Sequence, residues 1–135
     1  MPTGFVDTNI LIYAAAGASD EPVKWERALR FLEDGPYALS GQVLAEFYVN
    51  AIKKGVSLHE IERWLSILDL FTLQPVDRAI VADGIVVSQR HQISYWDAAL
   101  IAAAKRLGET RLFTEDLSHG QTYDGVTVIN PLLDN

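Results

Sequence analysis

Short apolar segments alternate with helical segments along this chain, and the alternation restricts its fold more than any other feature. The apolar segments predicted as strands are Phe5-Val6 and residues 37–39, 71–73, 111–113 and 126–129. Helices are predicted over about 9–16, 22–33, 41–54, 58–68, 78–89 and 94–107. Strands that alternate with helices pair in parallel, and the right-handed crossovers place helices on both faces of the sheet. We therefore predict a three-layer α/β/α sandwich with a central, mainly parallel sheet, as a single domain over residues 1–135.

Several predicted helices begin at residues that are suited to cap them. Thr8 is the expected N-cap of the first helix, and Asp77 can cap the helix that follows it. Ser57-Leu58-His59-Glu60 is a capping box, and Ser94 and Asp97 have the same spacing at the start of the last helix.

Four carboxylates each lie at a polar edge of an apolar segment: Asp7, Glu46, Asp97 and Asp116. Burying an unpaired charge is costly, so acids held against a core tend to be paired, capping or metal-bound. Asp7 and Asp116 follow predicted strands, whereas Glu46 and Asp97 lie near the beginnings of helices. Because ligands collect at the carboxyl ends of parallel strands, one edge of the sheet can gather all four. Such a cluster is an oxygen-rich site for a hard divalent cation and indicates metal-assisted hydrolysis.

Each of these acids also has a purely structural explanation. Asp7 could form an Asx-turn or a cap after its strand. Asp97 could reach back to the start of its own helix. Glu46 could point to solvent from a polar stripe that it shares with Gln42 and Asn50. Asp116 could be an ordinary loop residue. The hypothesis of a metal site therefore rests on the four acids together and not on any one of them.

The composition restricts the possible functions. A net charge of −7 argues against broad binding to duplex DNA. Bound divalent cations would change the field at the acids, so the charge is compatible with a metal enzyme that acts on RNA or docks a basic partner. The sequence has no cysteine, which excludes disulfides and thiolate metal sites. No signal peptide or membrane-spanning segment is predicted, so we expect a cytoplasmic protein with no membrane partner.

Aromatic and basic side chains give weaker indications of RNA binding. The tryptophans are expected in the core, with Trp96 the best exception as a base-stacking platform because it adjoins Asp97. Three basic residues, Lys24, Arg27 and Arg30, recur on one predicted helix. A solvated helix face is the default interpretation of this run, and guidance of RNA is the second.

Ordered motifs along the chain resemble those of a known family. The matching segments are Phe5-Val6-Asp7-Thr8-Asn9-Ile10-Leu11-Ile12-Tyr13-Ala14, Ser40-x-x-Val43-Leu44-x-Glu46-Phe47, Ser94-x-Trp96-Asp97-Ala98-Ala99-Leu100-Ile101-x-Ala103-Ala104, Leu112-x-Thr114-Glu115-Asp116-Leu117 and Val128-Ile129-Asn130-Pro131. In these segments the chain resembles the PIN-domain nucleases, and among them the VapC-type toxins of bacterial and archaeal toxin–antitoxin modules. The resemblance covers essentially the whole chain, and none of the four acids is missing.

The resemblance implies binding of Mg²⁺ or Mn²⁺ by the acids and endonucleolytic cleavage of RNA by metal-activated water. Asp7, Asp97 and Asp116 are expected as the principal ligands, some through water. Glu46 is expected either as a further ligand or as the residue that positions the attacking water. The resemblance also implies a cognate VapB-type antitoxin and a homodimer.

Four polar neighbours of the acids are candidates for an outer layer of the site. These residues, which could orient carboxylates or phosphate, are Thr8, Asn9, Ser40 and Thr114.

Two other functions remain possible on the same sequence. A non-catalytic RNA- or protein-binding module could share the fold, and the loss of one acid would favour it. A metal-dependent phosphatase of the haloacid dehalogenase type also places an aspartate after its first strand. That enzyme needs a second aspartate two residues later, where this chain has Asn9.

Overall fold

The computed structural model describes residues 4–134, in which two helices follow each of the first three strands and the last three strands follow one another. The strands are β1 (Phe5–Val6), β2 (Ala38–Ser40), β3 (Thr72–Gln74), β4 (Arg111–Phe113), β5 (Thr122–Tyr123) and β6 (Val126–Ile129). The helices are α1 (Thr8–Ala16), α2 (Pro22–Glu33), α3 (Gly41–Lys53), α4 (Leu58–Leu68), α5 (Arg78–His91) and α6 (Tyr95–Arg106).

The strands form one sheet in the order β3-β2-β1-β4-β6-β5. All neighbouring pairs are parallel except β5 and β6, which are antiparallel. Helices flank this mostly parallel sheet, so the predicted α/β fold class is confirmed. The strands β1 and β4 are neighbours at the centre, with Val6 opposite Phe113, and the residues that follow them therefore emerge side by side.

Helix α6 supplies much of the core because its side chains are small. Residues 98–104 are all buried, and the helix contacts β2, β4 and β6. Gly84 of α5 allows a similarly close approach from the other side, since a Cβ at this position would lie 3.0 Å from the Tyr95 ring. This packing fixes the first turn of α6, where Asp97 lies.

Within residues 4–134, no helix is both long and apolar enough to cross a membrane.

The structure corrects the predicted start of the first helix. Thr8 is the first helical residue, and Asp7 is the N-cap, with its side chain accepting a hydrogen bond from the Thr8 backbone N–H at 2.6 Å. An aspartate caps as well as a threonine, so the local sequence allowed either position. The expected caps Ser57, Asp77 and Ser94 each accept a hydrogen bond from the backbone three residues later.

The remaining differences concern strand limits and one short strand. Strands β2 and β3 each begin and end one residue later than predicted, and α5 continues to His91. Strand β5 was not predicted because Thr122–Tyr123 is not an apolar pair of the kind that indicated β1. Its turn to β6 is Asp124-Gly125, with φ of 52° and 84°, which is the dipeptide and the backbone geometry of a tight hairpin.

Candidate functional site

An open cleft of about 420 Å³ lies where the chain leaves β1 and β4. All four predicted acids line it, namely Asp7, Glu46, Asp97 and Asp116. Thr8 and Asn9 also line the cleft. The strand ends contribute Asp7 and Asp116, while α3 and α6 contribute Glu46 and Asp97 from their N-terminal halves.

Asp7 is the most buried of the four acids, with 5% of its surface exposed. Its Oδ1 accepts the hydrogen bond from Thr8, and its Oδ2 accepts one from the Thr114 hydroxyl at 2.8 Å. Burial nevertheless raises the pKa of Asp7 to about 6, and the charges of Asp116 and Glu46 add to the increase. Asp7 therefore caps a helix, as one of its two interpretations from the sequence proposed. Its carboxylate is also costly to ionise, because it is buried and lies near the charges of Asp116 and Glu46.

Thr114 and Asn9 connect the two strand ends. The Thr114 hydroxyl accepts hydrogen bonds from the Asp116 backbone N–H at 3.0 Å and from Asn9 Nδ2 at 3.3 Å. Asn9 Nδ2 also lies 3.3 Å from Asp116 Oδ2 and 3.4 Å from Asp7 Oδ2. These contacts hold Asp7 and Asp116 in a fixed relation across the centre of the sheet.

Glu46 belongs to a polar stripe of α3, and this stripe is a wall of the cleft. Gln42 and Asn50, one turn away on either side, line the same cleft. The Thr8 hydroxyl donates a hydrogen bond to Glu46 Oε1 at 2.9 Å. The stripe suggested by the sequence is therefore present, but it faces the other acids instead of open solvent.

Asp97 does not use its carboxylate to cap its own helix. Ser94 Oγ accepts a hydrogen bond from the Asp97 backbone N–H at 3.2 Å, whereas no residue in the described range 4–134 donates one to the Asp97 side chain. Burial raises the pKa of Asp116, and the neighbouring charges of Asp97 and Glu115 raise it further. The Asp97 and Asp116 carboxylates thus repel each other across the cleft.

Ser40 is not brought to the acids. Its side chain accepts a hydrogen bond from the Val43 backbone N–H at 3.3 Å and forms the N-cap of α3. It is buried and does not line the cleft. Ser40 therefore acts on the site through the position of α3, and it does not touch a carboxylate there.

Two lysines at the end of α3 line the cleft and were not singled out from the sequence. Lys53 and Lys54 are exposed, and neither forms a salt bridge with an acid among residues 4–134. Lys53 follows Glu46 by seven residues, which is two helical turns, so helical spacing alone could have placed it on the same face. These cations stand beside a cluster of negative charge.

The basic run on α2 is largely neutralised. Lys24 Nζ lies 3.0 Å from Glu115 Oε2, and the Tyr13 hydroxyl donates to Glu115 Oε1 at 2.5 Å. Arg27 contacts Asp134, and Arg30 contacts Glu26. The pairing supports the interpretation of this run as a solvated helix face.

The donor set suits a divalent cation, although the acids do not form a closed cage. Within residues 4–134, no three Asp, Glu, His or Cys side chains are placed so that they could hold a metal ion as they stand. Mg²⁺ commonly keeps several waters and binds through one or two carboxylates, so such a cage is not required. Asn9 Oδ1 is buried without a hydrogen-bond partner among residues 4–134, and it adds an oxygen beside the acids. Oxygen ligands of high negative charge are those that Mg²⁺ and Mn²⁺ prefer.

A mostly parallel α/β fold with acids gathered at the ends of its central strands defines the class of this protein. The family description "PIN domain" matches residues 4–124, and the chain belongs to the PIN domain family. The resemblance that the sequence motifs indicated is therefore confirmed. Comparison with curated proteins found no match.

Three solved structures share the fold. A toxin–antitoxin complex from Klebsiella pneumoniae has a TM-score of 0.68 at 24% identity, over 95% of this chain and 97% of that chain. VapC20 of Mycobacterium tuberculosis, a toxin that cleaves the sarcin–ricin loop, has a TM-score of 0.68 at 19% identity, over 83% and 90%. FitAcB from Neisseria gonorrhoeae has a TM-score of 0.64 at 27% identity, over 94% and 96%.

Proposed function

We propose that the protein is a Mg²⁺- or Mn²⁺-dependent endoribonuclease and the toxin of a type II toxin–antitoxin system. The observation that carries the proposal is the convergence of Asp7, Glu46, Asp97 and Asp116 on one cleft. Membership of the PIN domain family and likeness to an RNA-cleaving VapC toxin support it. The proposal includes a single domain over residues 1–135 that acts in the cytoplasm.

The acids would hold the metal. Asp7, Asp97 and Asp116 are the proposed ligands, some of them through water, and Glu46 is either a further ligand or positions the attacking water. When bound, the metal would lower the pKa of a water molecule and offset the charge that develops on the phosphorane. Burial, and then the repulsion of neighbouring carboxylates, raises the pKa of Asp7 and Asp116, and a bound cation would relieve that repulsion.

Neighbouring residues of the chain position the acids and the substrate. Thr114 and Asn9 fix Asp7 relative to Asp116, and Thr8 directs Glu46 into the cleft. These hydrogen bonds are of the kind that orients metal ligands.

The two lysines at the end of α3 give an acidic protein a local attraction for a polyanion. Lys53 and Lys54 line the same cleft as the acids, and they are the proposed contacts for substrate phosphates.

A cognate VapB-type antitoxin is the proposed partner. An active ribonuclease would harm its own cell, and the uncompensated acids offer a place for an Arg or Lys of an inhibitor to bind in place of metal. The likeness to a toxin–antitoxin complex supports this partner.

We also propose a homodimer, on the strength of family likeness. Tyr48, Val49 and Ile52 are large apolar side chains on the outer side of α3, each nearly half exposed, and they provide a surface for a second copy.

Purified protein incubated with structured RNAs in Mg²⁺, Mn²⁺ or EDTA tests the nuclease activity. We expect cleavage with either metal and none in EDTA. The products should end in 5′-phosphate and 3′-hydroxyl, because water and not the ribose 2′-hydroxyl attacks. Cleavage that persists in excess EDTA, or products with 2′,3′-cyclic phosphate, would contradict the mechanism.

Co-expression with the neighbouring small open reading frame tests the partner. We expect toxicity when the protein is expressed alone, rescue on co-expression, and co-elution of the two chains in size-exclusion chromatography. A harmless protein with all four acids intact and no co-purifying partner would overturn the toxin assignment while leaving the nuclease chemistry open to the RNA assay.

A further inference from the structure

Trp96 is the feature of the cleft that the proposed chemistry does not use. The indole lines the cleft next to Asp97, yet 63% of the residue is exposed. It makes an edge contact with the Tyr95 ring, with centroids 5.1 Å apart. The sequence favoured a core position for tryptophans, and Trp96 departs from it. A large apolar side chain left open at the rim of a polar site suggests a ligand that covers it.

An apolar groove continues from the cleft at this rim. It has a volume of about 620 Å³, and its walls include Ala45, Val76, Val81, Tyr95 and Trp96. Gln42 and Trp96 line both the groove and the acid cleft, so a ligand in the cleft can extend directly into the groove. Gln42 also offers an amide that can donate and accept hydrogen bonds at the boundary between them.

The two ends of α3 differ in the chemistry that they present. Gln42 and the groove lie at its start, and Lys53 lies at its end, roughly 16 Å further along the helix axis. Glu46 lies between them on the same helix, and the other three acids line the same cleft. One end therefore suits a flat apolar group, the other suits an anion, and the middle suits a metal-bound phosphate. Single-stranded RNA presents all three along a few nucleotides.

We propose that the groove beside Trp96 binds an unpaired nucleobase of the RNA substrate, stacked on the indole. The phosphates on the other side of the scissile bond then extend toward Lys53 and Lys54. This proposal rests on the proposed function, since it takes RNA as the substrate. The protein then selects RNA that has an unpaired base at the cleavage site, because a base within a duplex cannot reach the indole. The preferred site is therefore a loop or bulge.

A coupled substitution experiment tests the contact. Hairpin RNAs whose loops cover every dinucleotide are first screened for cleavage, and each loop nucleotide of a responsive RNA is then replaced in turn by an abasic site. Binding of every RNA is measured by fluorescence anisotropy with the Asp7→Asn protein in Mg²⁺, and single-turnover cleavage with protein that retains Asp7. Both measurements are repeated with Trp96→Ala and Trp96→Phe. Leu70→Ala serves as the control, because Leu70 is 74% exposed and lines neither the cleft nor the groove.

We expect one abasic position beside the scissile phosphate to weaken binding by about ten-fold, the scale of base–aromatic stacking. Trp96→Ala should cause a similar loss on intact RNA and no further loss on that abasic RNA, since both changes remove the same contact. Trp96→Phe should retain most of the binding, and Leu70→Ala should match the parent protein.

Two results would overturn the proposal while leaving the nuclease intact. In the first, Trp96→Ala weakens binding of every abasic RNA by the same factor by which it weakens binding of the intact RNA. In the second, light scattering shows that Trp96→Ala converts a dimer into a monomer, which would mean that a second copy of the chain occupies the groove. If the parent protein neither cleaves nor binds any of the RNAs, the proposed function and this inference both fail.

Discussion

Two shielded aspartates, Asp7 in the cleft and Asp124 in the β5–β6 turn, have opposite surroundings. The Asp124 side chain is 8% exposed and contacts Arg90 at 2.5 Å, His91 at 2.7 Å and Lys105 at 3.4 Å. The hydrogen bond with His91, followed by Arg90 and Lys105, lowers the pKa of Asp124 to about 2. Asp7 has no cation in contact among residues 4–134, and its pKa is raised to about 6.

The chain neutralises the charge of Asp124 with its own cations, whereas it provides no cation for the charge of Asp7 among residues 4–134. Asp124 ties a hairpin to the ends of α5 and α6, and the charges needed for this are all supplied by the protein. At Asp7 the nearest charges are other carboxylates, which increase the cost of ionisation. A fold tolerates such a cost at a functional site, where a ligand supplies the missing positive charge.

The largest expected difference between the two aspartates is in activity. Asp7→Asn should reduce RNA cleavage by more than about a hundred-fold, since loss of a ligand should exceed the effect of losing an outer hydrogen bond. Asp124→Asn should change it little, because Asp124 lies outside the cleft. Single-turnover cleavage of one RNA by both variants and the parent measures the contrast. Equal activity of the two variants would remove the distinction on which our account depends.

The metal-free protein should lose stability as the pH rises through the range in which Asp7 ionises. The folded pKa of about 6 lies above the ordinary aspartate value of 3.8, so the folded state binds this proton more tightly than the unfolded state does. The free energy of unfolding should then fall by up to about 3 kcal/mol between about pH 4 and pH 6. Urea unfolding in EDTA at a series of pH values measures this, and Asp7→Asn should remove the decrease. A stability that is independent of Asp7 across this range would show that Asp7 ionises without strain.

Asp124 should show a smaller effect with the opposite sign. Its folded pKa lies below the ordinary aspartate value, so its contribution to stability is present above about pH 4 and is lost as the pH falls toward 2. Asp124→Asn should cost about 1–2 kcal/mol near neutral pH, a modest value because Arg90 and Lys105 are half exposed to solvent. Asparagine also tolerates the left-handed backbone at this position, with φ of 52°. Thermal unfolding at neutral and acidic pH checks the sign, and an undiminished difference at low pH would contradict the electrostatic origin.

The fold could be predicted from the sequence because its signals are local. The alternation of strands and helices, the caps Ser57, Asp77 and Ser94, and the acids at strand ends all depend on neighbouring residues. The four acids could be predicted as a set because parallel strands end at one edge of a sheet.

The parts that could not be predicted depend on contacts between distant segments. Asp124 meets Arg90 and His91 only after the hairpin folds onto α5, and single residues in a turn carry no signal for such partners. The tryptophans were expected in the core, with Trp96 the best exception, and the exposure of Trp96 is determined only when α6 packs against the rest of the fold. Ser40 was expected beside the acids because its motif includes Glu46, but a serine before a helix is also a cap, and capping determines its contact here.

Calorimetric titration of Mn²⁺ into metal-free protein tests the central claim most directly. The parent and Asp124→Asn should bind Mn²⁺ with similar affinity at neutral pH, and Asp7→Asn should bind it at least about ten-fold more weakly. Binding to the parent at about pH 6 should release protons, seen as a heat that varies with the buffer, because Asp7 is partly protonated there. Equal affinity in all three proteins, or no binding by the parent, would contradict the claim that the acids of the cleft bind a divalent cation.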